Sequence, residues 1–281
     1  MNNPDERTAT DQFGKGDKYF GICTLMATLP GLPMFGHGQV EGFAEKYGME
    51  YRKAYWDEIP DGYLIERHER QIFPILHKRY LFAGVEQFRL YDFFTPEGAV
   101  DENVFAYSNS AGDRSGPGEC GLVIYNNKFT ETRGWIHTST AYLVKNDRGE
   151  GDLVRRTLSE GLGLHPGADR FCIFREHVSG LEYIRSTQEL REKGFYVELG
   201  AFKYQVYLDF REVEDDSEHS YSRLAWLLGG RGVPSIEEAL REMNKPQLPE
   251  VSQAPSEAFP LASGVLLHPT SLPGRFGIGD L

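Results

Sequence analysis

The strongest constraint on the fold is the stretch 202–210, where apolar and polar side chains alternate. Its members Phe202, Tyr204, Val206, Leu208 and Phe210 alternate with Lys203, Gln205, Tyr207 and Asp209. Because successive side chains of a β-strand point to opposite faces, the alternation predicts a long strand with one buried face and one wetter face. A single strand is not stable alone, so the chain must contain a sheet.

Other runs predict the remaining strands of that sheet. After Gly84 the chain is rich in Val, Ile, Tyr and Phe, in short runs separated by Gly, Asn and Asp. The clearest runs are residues 122–125 and 171–174. This pattern is typical of antiparallel strands, and we therefore place a sandwich-like β domain at residues 85–215.

Helical patterns flank this β region. Residues 10–28 change from polar to apolar and are stopped by Pro30-Gly31, which predicts a buried helix. Residues 32–40 predict a short strand running into a loop, and residues 71–82 predict a helix with Pro74 near its start. Ser235 and Glu238 form a capping-box pattern, which predicts a helix at Ile236–Met243 within a helical extension, residues 216–244.

The remaining residues divide into a linker and a new segment. Pro246, Pro249, Pro255 and Pro260 punctuate residues 245–261, which contain few apolar side chains and predict a linker. Residues 262–281 then read as a strand followed by a turn-rich loop. A segment this short cannot bury a core of its own, so it is expected to begin a further domain.

Charge and cysteine content exclude several function classes. Asp and Glu number 42 against 30 Lys and Arg, and the net charge of −12 repels nucleic acid and anionic lipid. The three cysteines lie far apart without a CxxC pair, which predicts a reduced, cytoplasmic protein without a metal site. No apolar run approaches the roughly 20 residues of a membrane helix, and no cofactor motif is evident. We expect neither a membrane partner nor a cofactor.

The last residues carry the most specific motif in the chain. The run ASGVLLHPTSLPGRFGIGDL, residues 262–281, resembles the opening of the 4-alpha-glucanotransferases, the amylomaltase family. The resemblance implies the first strand of a catalytic barrel and the loop after it. His268 lies at the end of that strand, where it either contacts sugar or has a structural role.

A second resemblance covers residues 1–244. Asn3-Pro4-Asp5 and the segment TLMATLPGLPMFGHGQ, residues 24–39, resemble the last part of an alpha-amylase-family barrel, including helix seven, the LPG breaker and strand eight. The resemblance implies that Asp5 stabilises the transition state and that Asn3, His37 and Gln39 bind substrate. Two positions depart from the family pattern, because Pro4 replaces a histidine and Gln39 replaces an acidic residue.

Together the resemblances imply an α+β fragment of a larger enzyme, cut at both ends. Its parts are the C-terminal part of a (β/α)8 barrel, residues 1–84, then the β domain, the helical extension, the linker and the truncated start of a 4-alpha-glucanotransferase domain. A barrel reduced to its last elements is expected to leave apolar helix faces near Phe20 and Leu76 without partners.

The implied function is retaining cleavage and transfer on alpha-1,4-glucan by a bifunctional enzyme. Retaining glycosidases place two carboxyl groups about 5 Å apart, as nucleophile and as acid/base. The resemblance assigns both to strands that precede Met1, so this chain alone is expected to be inactive. The alternative is a non-catalytic glucan-binding β module. The sequence gives no oligomeric state.

Each candidate site residue also has a structural interpretation. Asp5 precedes a helix and fits a cap or a solvated acid, and His37 fits a histidine that backbone hydrogen bonds satisfy. The aromatic residues Tyr47, Tyr51, Tyr55 and Trp56 either stack on sugar rings or pack between domains. The residue types alone do not choose between these interpretations.

Overall fold

The computed structural model describes residues 1–48, 52–111, 119–145, 149 and 151–245. These residues form one compact unit, Met1–Lys245, of mixed α+β structure. None of its described helices is long and apolar enough to cross a membrane. Residue Tyr51, the predicted linker after Lys245 and the 262–281 segment with His268 lie outside the described residues.

Five helices precede the first described strand, and four more lie within or after the β region. The first five are α1 (Ala9–Phe13), α2 (Asp17–Thr28), α3 (Gly62–Gln71), α4 (Phe73–His77) and α5 (Arg79–Phe82). The later four are α6 (Leu158–Gly161), α7 (Thr187–Lys193), α8 (Ser220–Leu228) and α9 (Ile236–Met243). The prediction for α9 is confirmed, and the Ser235 side chain accepts a hydrogen bond from the Glu238 N–H at its start.

Three predictions for the first 84 residues need correction. The helix at 10–28 is divided into α1 and α2, because Gly14 ends α1 with a φ of 71°. The helix at 71–82 is also two helices, since Pro74 lies in the first turn of α4 and Lys78 leaves helical geometry after it. The predicted strand at 32–40 is wrong, because residues 37–42 form turns around Gly38, whose φ is 69°.

The strands form one large curled sheet and one separate hairpin. They are β1 (Arg89–Phe94), β2 (Val104–Ser110), β3 (Cys120–Asn126), β4 (Thr132–Ser139), β5 (Tyr142–Lys145), β6 (Gly151–Val154), β7 (Arg170–Glu176), β8 (Glu182–Ser186), β9 (Phe195–Leu199) and β10 (Tyr204–Glu214). The eight-stranded sheet has the order β8-β7-β10-β3-β2-β1-β4-β9, and β5 pairs with β6.

The predicted antiparallel character is confirmed, because every pairing between described strands is antiparallel. The main strands do not form two facing sheets, as a sandwich would require; they share one sheet. Among the described residues no strand precedes Arg89, so no (β/α)8 arrangement is visible there.

The alternating strand that predicted the sheet is β10, but its two faces differ from the expectation. Tyr204, Val206 and Leu208 pack against the N-terminal helices, whereas Tyr207, predicted on the wetter face, is only 3% exposed in the core on the other side. The pairing with β7 shifts after Leu208, where Asp209 has a φ of 56°. This bulge turns Phe210 toward the Tyr207 side of the sheet.

Both faces of the sheet are therefore buried. One face is covered by α1–α5, and its core includes Phe20, Phe82 and Tyr125. The opposite face holds the largest core, with residues from most strands of the sheet together with α6 and α7. Helices α8 and α9 pack on β7 and β8 in a third cluster.

The expectation that helix faces near Phe20 and Leu76 lack partners is wrong. Phe20 is fully buried, and Leu76 packs at the edge of the same core. The contact of α2 with the sheet is so close that a Cβ at Gly21 would lie 2.1 Å from the Tyr125 ring. Only glycine at this position allows α2 to approach β3.

Asp101, in the loop between β1 and β2, holds the β1–β2 turn against the β3–β4 loop. Its carboxylate pairs with the Lys128 ammonium and accepts hydrogen bonds from Thr132 Oγ1 at 2.7 Å and from the Asn103 N–H at 3.2 Å. Burial alone would raise the pKa of Asp101, but these donors outweigh it and lower the pKa to about 2.

We predict that Gly21→Ala destabilises the protein, because the added methyl group must displace α2 or the buried Tyr125 ring. The expected loss is about 1–3 kcal/mol in the free energy of unfolding, measured by urea denaturation. Gly62→Ala is the matched control, since nothing lies within 4 Å of its added Cβ, and its expected change is within about 0.5 kcal/mol. Equal stability of the two variants would contradict the close helix–sheet contact.

We also predict a pH-dependent effect of Asp101→Asn. Because folding lowers the pKa of this carboxyl group, its stabilisation is complete above the unfolded-state pKa of about 4 and is lost as the pH falls to about 2. Near neutral pH the variant should lose about 2 kcal/mol, and near pH 2 the difference should largely vanish. Asp169→Asn, at an exposed position, serves as control. A difference that does not depend on pH would refute this account.

Candidate functional site

The N-terminal segment that carries Asn3 and Asp5 contacts the loop at 36–39, which carries His37 and Gln39, through Asn2. The Asn2 N–H donates to Gln39 Oε1 at 2.9 Å, and Asn2 Nδ2 donates to the His37 carbonyl oxygen at 3.1 Å. Asn2 Oδ1 in turn accepts from the Ala9 N–H at the start of α1. A Cβ at Gly36 would lie 2.6 Å from Asn2 Cβ, so the two segments touch directly.

Buried hydrogen bonds of Tyr19 and His68 fix the 36–39 loop on the side that faces the protein interior. The Tyr19 hydroxyl lies 2.9 Å from His68 Nε2 and 3.2 Å from the Gln39 carbonyl oxygen. His68 Nδ1 lies 2.8 Å from the Leu64 carbonyl oxygen, which can only accept, so Nδ1 carries the proton. Burial lowers the pKa of His68, which leaves the ring neutral with Nε2 as an acceptor, so the single Tyr19 hydroxyl proton is shared between His68 Nε2 and the Gln39 carbonyl oxygen. Burial likewise raises the pKa of Tyr19, so the phenol keeps its proton.

Gln39 itself is fully buried, and its side chain therefore supports the loop. Its Oε1 accepts from Asn2, whereas its Nε2 finds no hydrogen-bond partner in the described part of the chain. An unpaired buried amide donor costs free energy unless a water or a ligand oxygen satisfies it.

Asn3 and Asp5 lie on the solvent side of this network. Asn3 Oδ1 accepts from the N–H groups of Asp5 and Glu6, both at 2.9 Å, and thereby fixes the turn that carries Asp5. Lys46 Nζ donates to the Asp5 carbonyl oxygen at 2.6 Å. Asp5 is exposed and does not cap α1, since Thr8 is the capping residue. The cap interpretation of Asp5 is therefore wrong.

His37 lies beside a small cavity lined by aromatic and acidic residues. Its exposed ring meets the edge of Tyr47 at 5.2 Å and lies 6.1 Å from Phe43. The cavity of about 200 Å³ is also lined by Trp56, 57% exposed, and by Glu45, Asp57 and Glu58. The backbone N–H of His37 donates to the Tyr47 hydroxyl oxygen at 2.6 Å.

Two of the cavity's carboxylates hold its walls together. Glu45 accepts from the backbone N–H groups of Tyr55 and Trp56 at 2.8 and 3.0 Å. Glu58 accepts from those of Ala44 and Glu45 at 2.7 and 2.8 Å. These carboxylates therefore position the Trp56 segment against the segment with Phe43, and the arrangement offers stacking faces and hydrogen-bond acceptors to a ligand.

Two other kinds of chemistry lack support in the described residues. No group of three or more His, Cys, Asp or Glu residues that could hold a metal ion occurs there. The thiols of Cys23, Cys120 and Cys172 are buried, and burial raises the pKa of each one, to about 12 for Cys120. They are therefore unsuited to act as nucleophiles.

The sequence identified part of this site. It singled out Asn3, Asp5, His37 and Gln39, whose two segments are joined through Asn2, but it missed Asn2, Tyr19, His68 and the bracing pair Glu45 and Glu58. Proximity to the quoted motifs was the only signal for Asn2, and no spacing rule links Tyr19 to His68. That Asn3, His37 and Gln39 bind substrate and that Asp5 stabilises the transition state stays a prediction. No protein-family model matches this chain, and no curated protein matches it.

We predict that Tyr19→Phe loosens the 36–39 loop. Loss of the hydroxyl leaves His68 Nε2 and the Gln39 carbonyl oxygen without this partner, which should cost about 1–3 kcal/mol in the free energy of unfolding. Amide hydrogen exchange at residues 36–39 should accelerate. Tyr63→Phe removes a hydroxyl from a 66% exposed tyrosine on α3 and should leave both unchanged. Unaltered exchange in Tyr19→Phe would show that the hydroxyl does not hold the loop.

Proposed function

We propose that this chain is part of an enzyme that cleaves and transfers alpha-1,4-glucan with retention. The observation that carries the proposal is the meeting of the Asn2–Asp5 turn with the His37 loop beside an aromatic cavity. Residues more than thirty positions apart thus form one polar rim. Such a rim next to aromatic faces suits a neutral sugar, which offers hydroxyl groups and apolar ring faces.

In this proposal each residue of the rim has a distinct role. Asp5, held out by the Asn3 turn, contacts sugar hydroxyls and stabilises positive charge in the oxocarbenium-like transition state. The His37 ring contacts the sugar at the cavity, and Trp56 provides a stacking face. Asn2 and Gln39 position the loops, and the unpaired Gln39 Nε2 supports a place for a bound water or hydroxyl near them.

The finer fold proposal is that α1–α5 form the end of a barrel whose other elements lie in the larger enzyme. An exposed apolar strip beside the rim supports it. Leu32 is 93% and Met34 53% exposed, and both line an open groove together with Met1, Ile22 and Met26. Apolar side chains clustered in this way are typical of surfaces that pack against further protein.

The second candidate function is a glucan-binding module without catalysis. It is favoured by the state of the carboxylates at the cavity, because Glu45 and Glu58 are engaged with backbone N–H groups. A carboxylate held in this way braces a loop more readily than it attacks an anomeric carbon. Under this alternative no partner domain completes a catalytic pair.

The test is product analysis with the larger enzyme and with residues 1–281 alone. The larger enzyme should convert maltotriose to glucose and longer maltodextrins, whereas the isolated chain should leave the sugar profile unchanged because the retaining carboxyl pair is not supplied. Asp5→Asn should lower kcat of the larger enzyme by about 100-fold or more, as loss of one transition-state stabilising group does.

Asp11→Asn is the matched control, since Asp11 is an exposed acid on α1 whose partner is Arg7. It should leave kcat within a factor of about two. An unchanged maltotriose profile with the larger enzyme would exclude catalysis and favour the binding module. Turnover by the isolated chain would contradict the proposed division of catalytic residues.

A further inference from the structure

A wide groove of the β region lies between the two outermost strands of the curled sheet. It has a volume of about 800 Å³, within the roughly 300–1,000 Å³ usual for small-molecule sites. Strands β8 and β9 contribute residues 183–186 and 195–198, and α7 connects these strands. Helix α8 and the loop 229–232 contribute the opposite wall.

The base of the groove is an aromatic cluster that joins the two edge strands. Phe174 of β7 stacks on Tyr183 at 5.8 Å and meets Phe195 of β9 at 5.6 Å, edge to face. Tyr207 of β10 meets Phe195 at 5.2 Å. Since these rings are buried or half-buried in the main core, the base of the groove is rigid and does not depend on a ligand to form.

Above this base, aromatic faces remain open to solvent. Trp226 on α8 is 84% exposed although it is the largest type of apolar side chain. Trp135 of β4 and Tyr196 of β9 form a pair with ring centroids 4.9 Å apart, and Tyr196 is 41% exposed. All three line the groove, so a ligand there would meet open ring faces.

Arg185 is a charged hydrogen-bond donor in the lining of the groove. Its guanidinium lies 5.8 Å from the centroids of both Tyr183 and Phe195, and its Nη2 donates to the Gly230 carbonyl oxygen at 2.8 Å. Within the described part of the chain, no carboxylate lies within 4.0 Å of it. A Cβ at Gly230 would lie 3.2 Å from Nη2, and the φ of 88° there also requires glycine. The loop is thus shaped around the guanidinium.

The charges of the lining select the class of ligand. The charged groups are Arg185, Lys193, Arg231, Glu189 and Glu198. Three basic and two acidic groups nearly balance, although the whole chain carries −12. A polyanion would meet Glu189 and Glu198, and a purely apolar segment would bury all five charges at a cost. A neutral oligosaccharide avoids both penalties, because its ring faces cover the aromatics and its hydroxyls pair with the charged groups.

We propose that this groove is a second sugar-binding site and that it binds alpha-1,4-glucan. The assignment to an oligosaccharide follows from the groove itself. The choice of the alpha-1,4 linkage rests on the proposed function. A site on the β region, built from other residues than the His37 rim, holds a glucan chain while another part of that chain is at the rim.

The chain's three tryptophans make the test direct, since Trp135 and Trp226 line the groove and Trp56 lines the His37 cavity. Titrating the 281-residue protein with maltoheptaose, we expect saturable shifts of the Trp135 and Trp226 indole N–H signals in NMR spectra. Tyr196→Ala should weaken this response about five- to tenfold, the worth of one aromatic contact. Folding of each variant is checked before sugar is added, when its Trp56 signal should match that of the unsubstituted protein.

Leu227→Ala is the matched control, because Leu227 is 54% exposed on α8 next to Trp226 but does not line the groove. It should leave the affinity for maltoheptaose unchanged. An equal loss in Leu227→Ala and Tyr196→Ala would overturn the proposed site. An equal response to cellohexaose, whose beta-1,4 linkage gives a different chain shape, would overturn the assignment to alpha-1,4-glucan.

The same titration separates this inference from the proposed function. Shifts confined to Trp56 would overturn the groove site and leave sugar binding at the rim in place. Shifts confined to Trp135 and Trp226 would support the groove site and count against the rim. If none of the three signals shifts at saturating maltoheptaose, the groove site is overturned, and the catalytic proposal is then judged by its own maltotriose assay.

Discussion

The contact between α2 and β3 is the interaction on which the rest of the structure depends. Gly21 lets the helix backbone approach the Tyr125 ring, and Phe20 fills the core beside it. The Arg67 guanidinium covers Phe20 at 4.0 Å from the ring centroid and pairs with Asp17 at 2.7 Å. Burial alone would raise the pKa of Asp17, but hydrogen bonds from Lys203 and Arg67 outweigh it and lower the pKa, so the carboxylate stays charged. Helix α2 is thereby tied to α3 and to the sheet at once.

The candidate site inherits its geometry from that helix. Tyr19 is two residues before Gly21, and its hydroxyl carries the constraint from the core to the Gln39 loop and to His68. The exposed groups of the rim, Asp5 and His37, therefore sit on loops whose bases are buried and hydrogen-bonded. Such loops keep a site ordered, because a rigid scaffold positions them.

The elements that the sequence predicted correctly are those whose signals lie in neighbouring residues of the chain. Strands β3, β7 and β10 and helix α9 were predicted because periodicity, β-branched residues and a cap are written in consecutive residues. Edge strand β9 and helix α8 were not identified individually, although the helical extension was expected to include the latter. The bulge at Asp209 was missed because the alternation of apolar and polar residues at 202–210 continues through it. Nothing in that pattern marks where the pairing with β7 shifts. All seven residues of β3 are buried, and a strand that is buried on both faces shows no alternation.

The sequence by itself determined the class of structure, an antiparallel sheet with helices, and the net charge of −12. Only the tertiary structure decided that one curled sheet is buried on both faces, that Gln39 faces the interior while Asp5 faces solvent, and that a groove opens between β8 and β9. The physical reason is the separation along the chain over which each effect acts. Propensity, capping and charge act between near neighbours along the chain, whereas burial and the pairing of Tyr19 with His68 depend on which distant segments share a core.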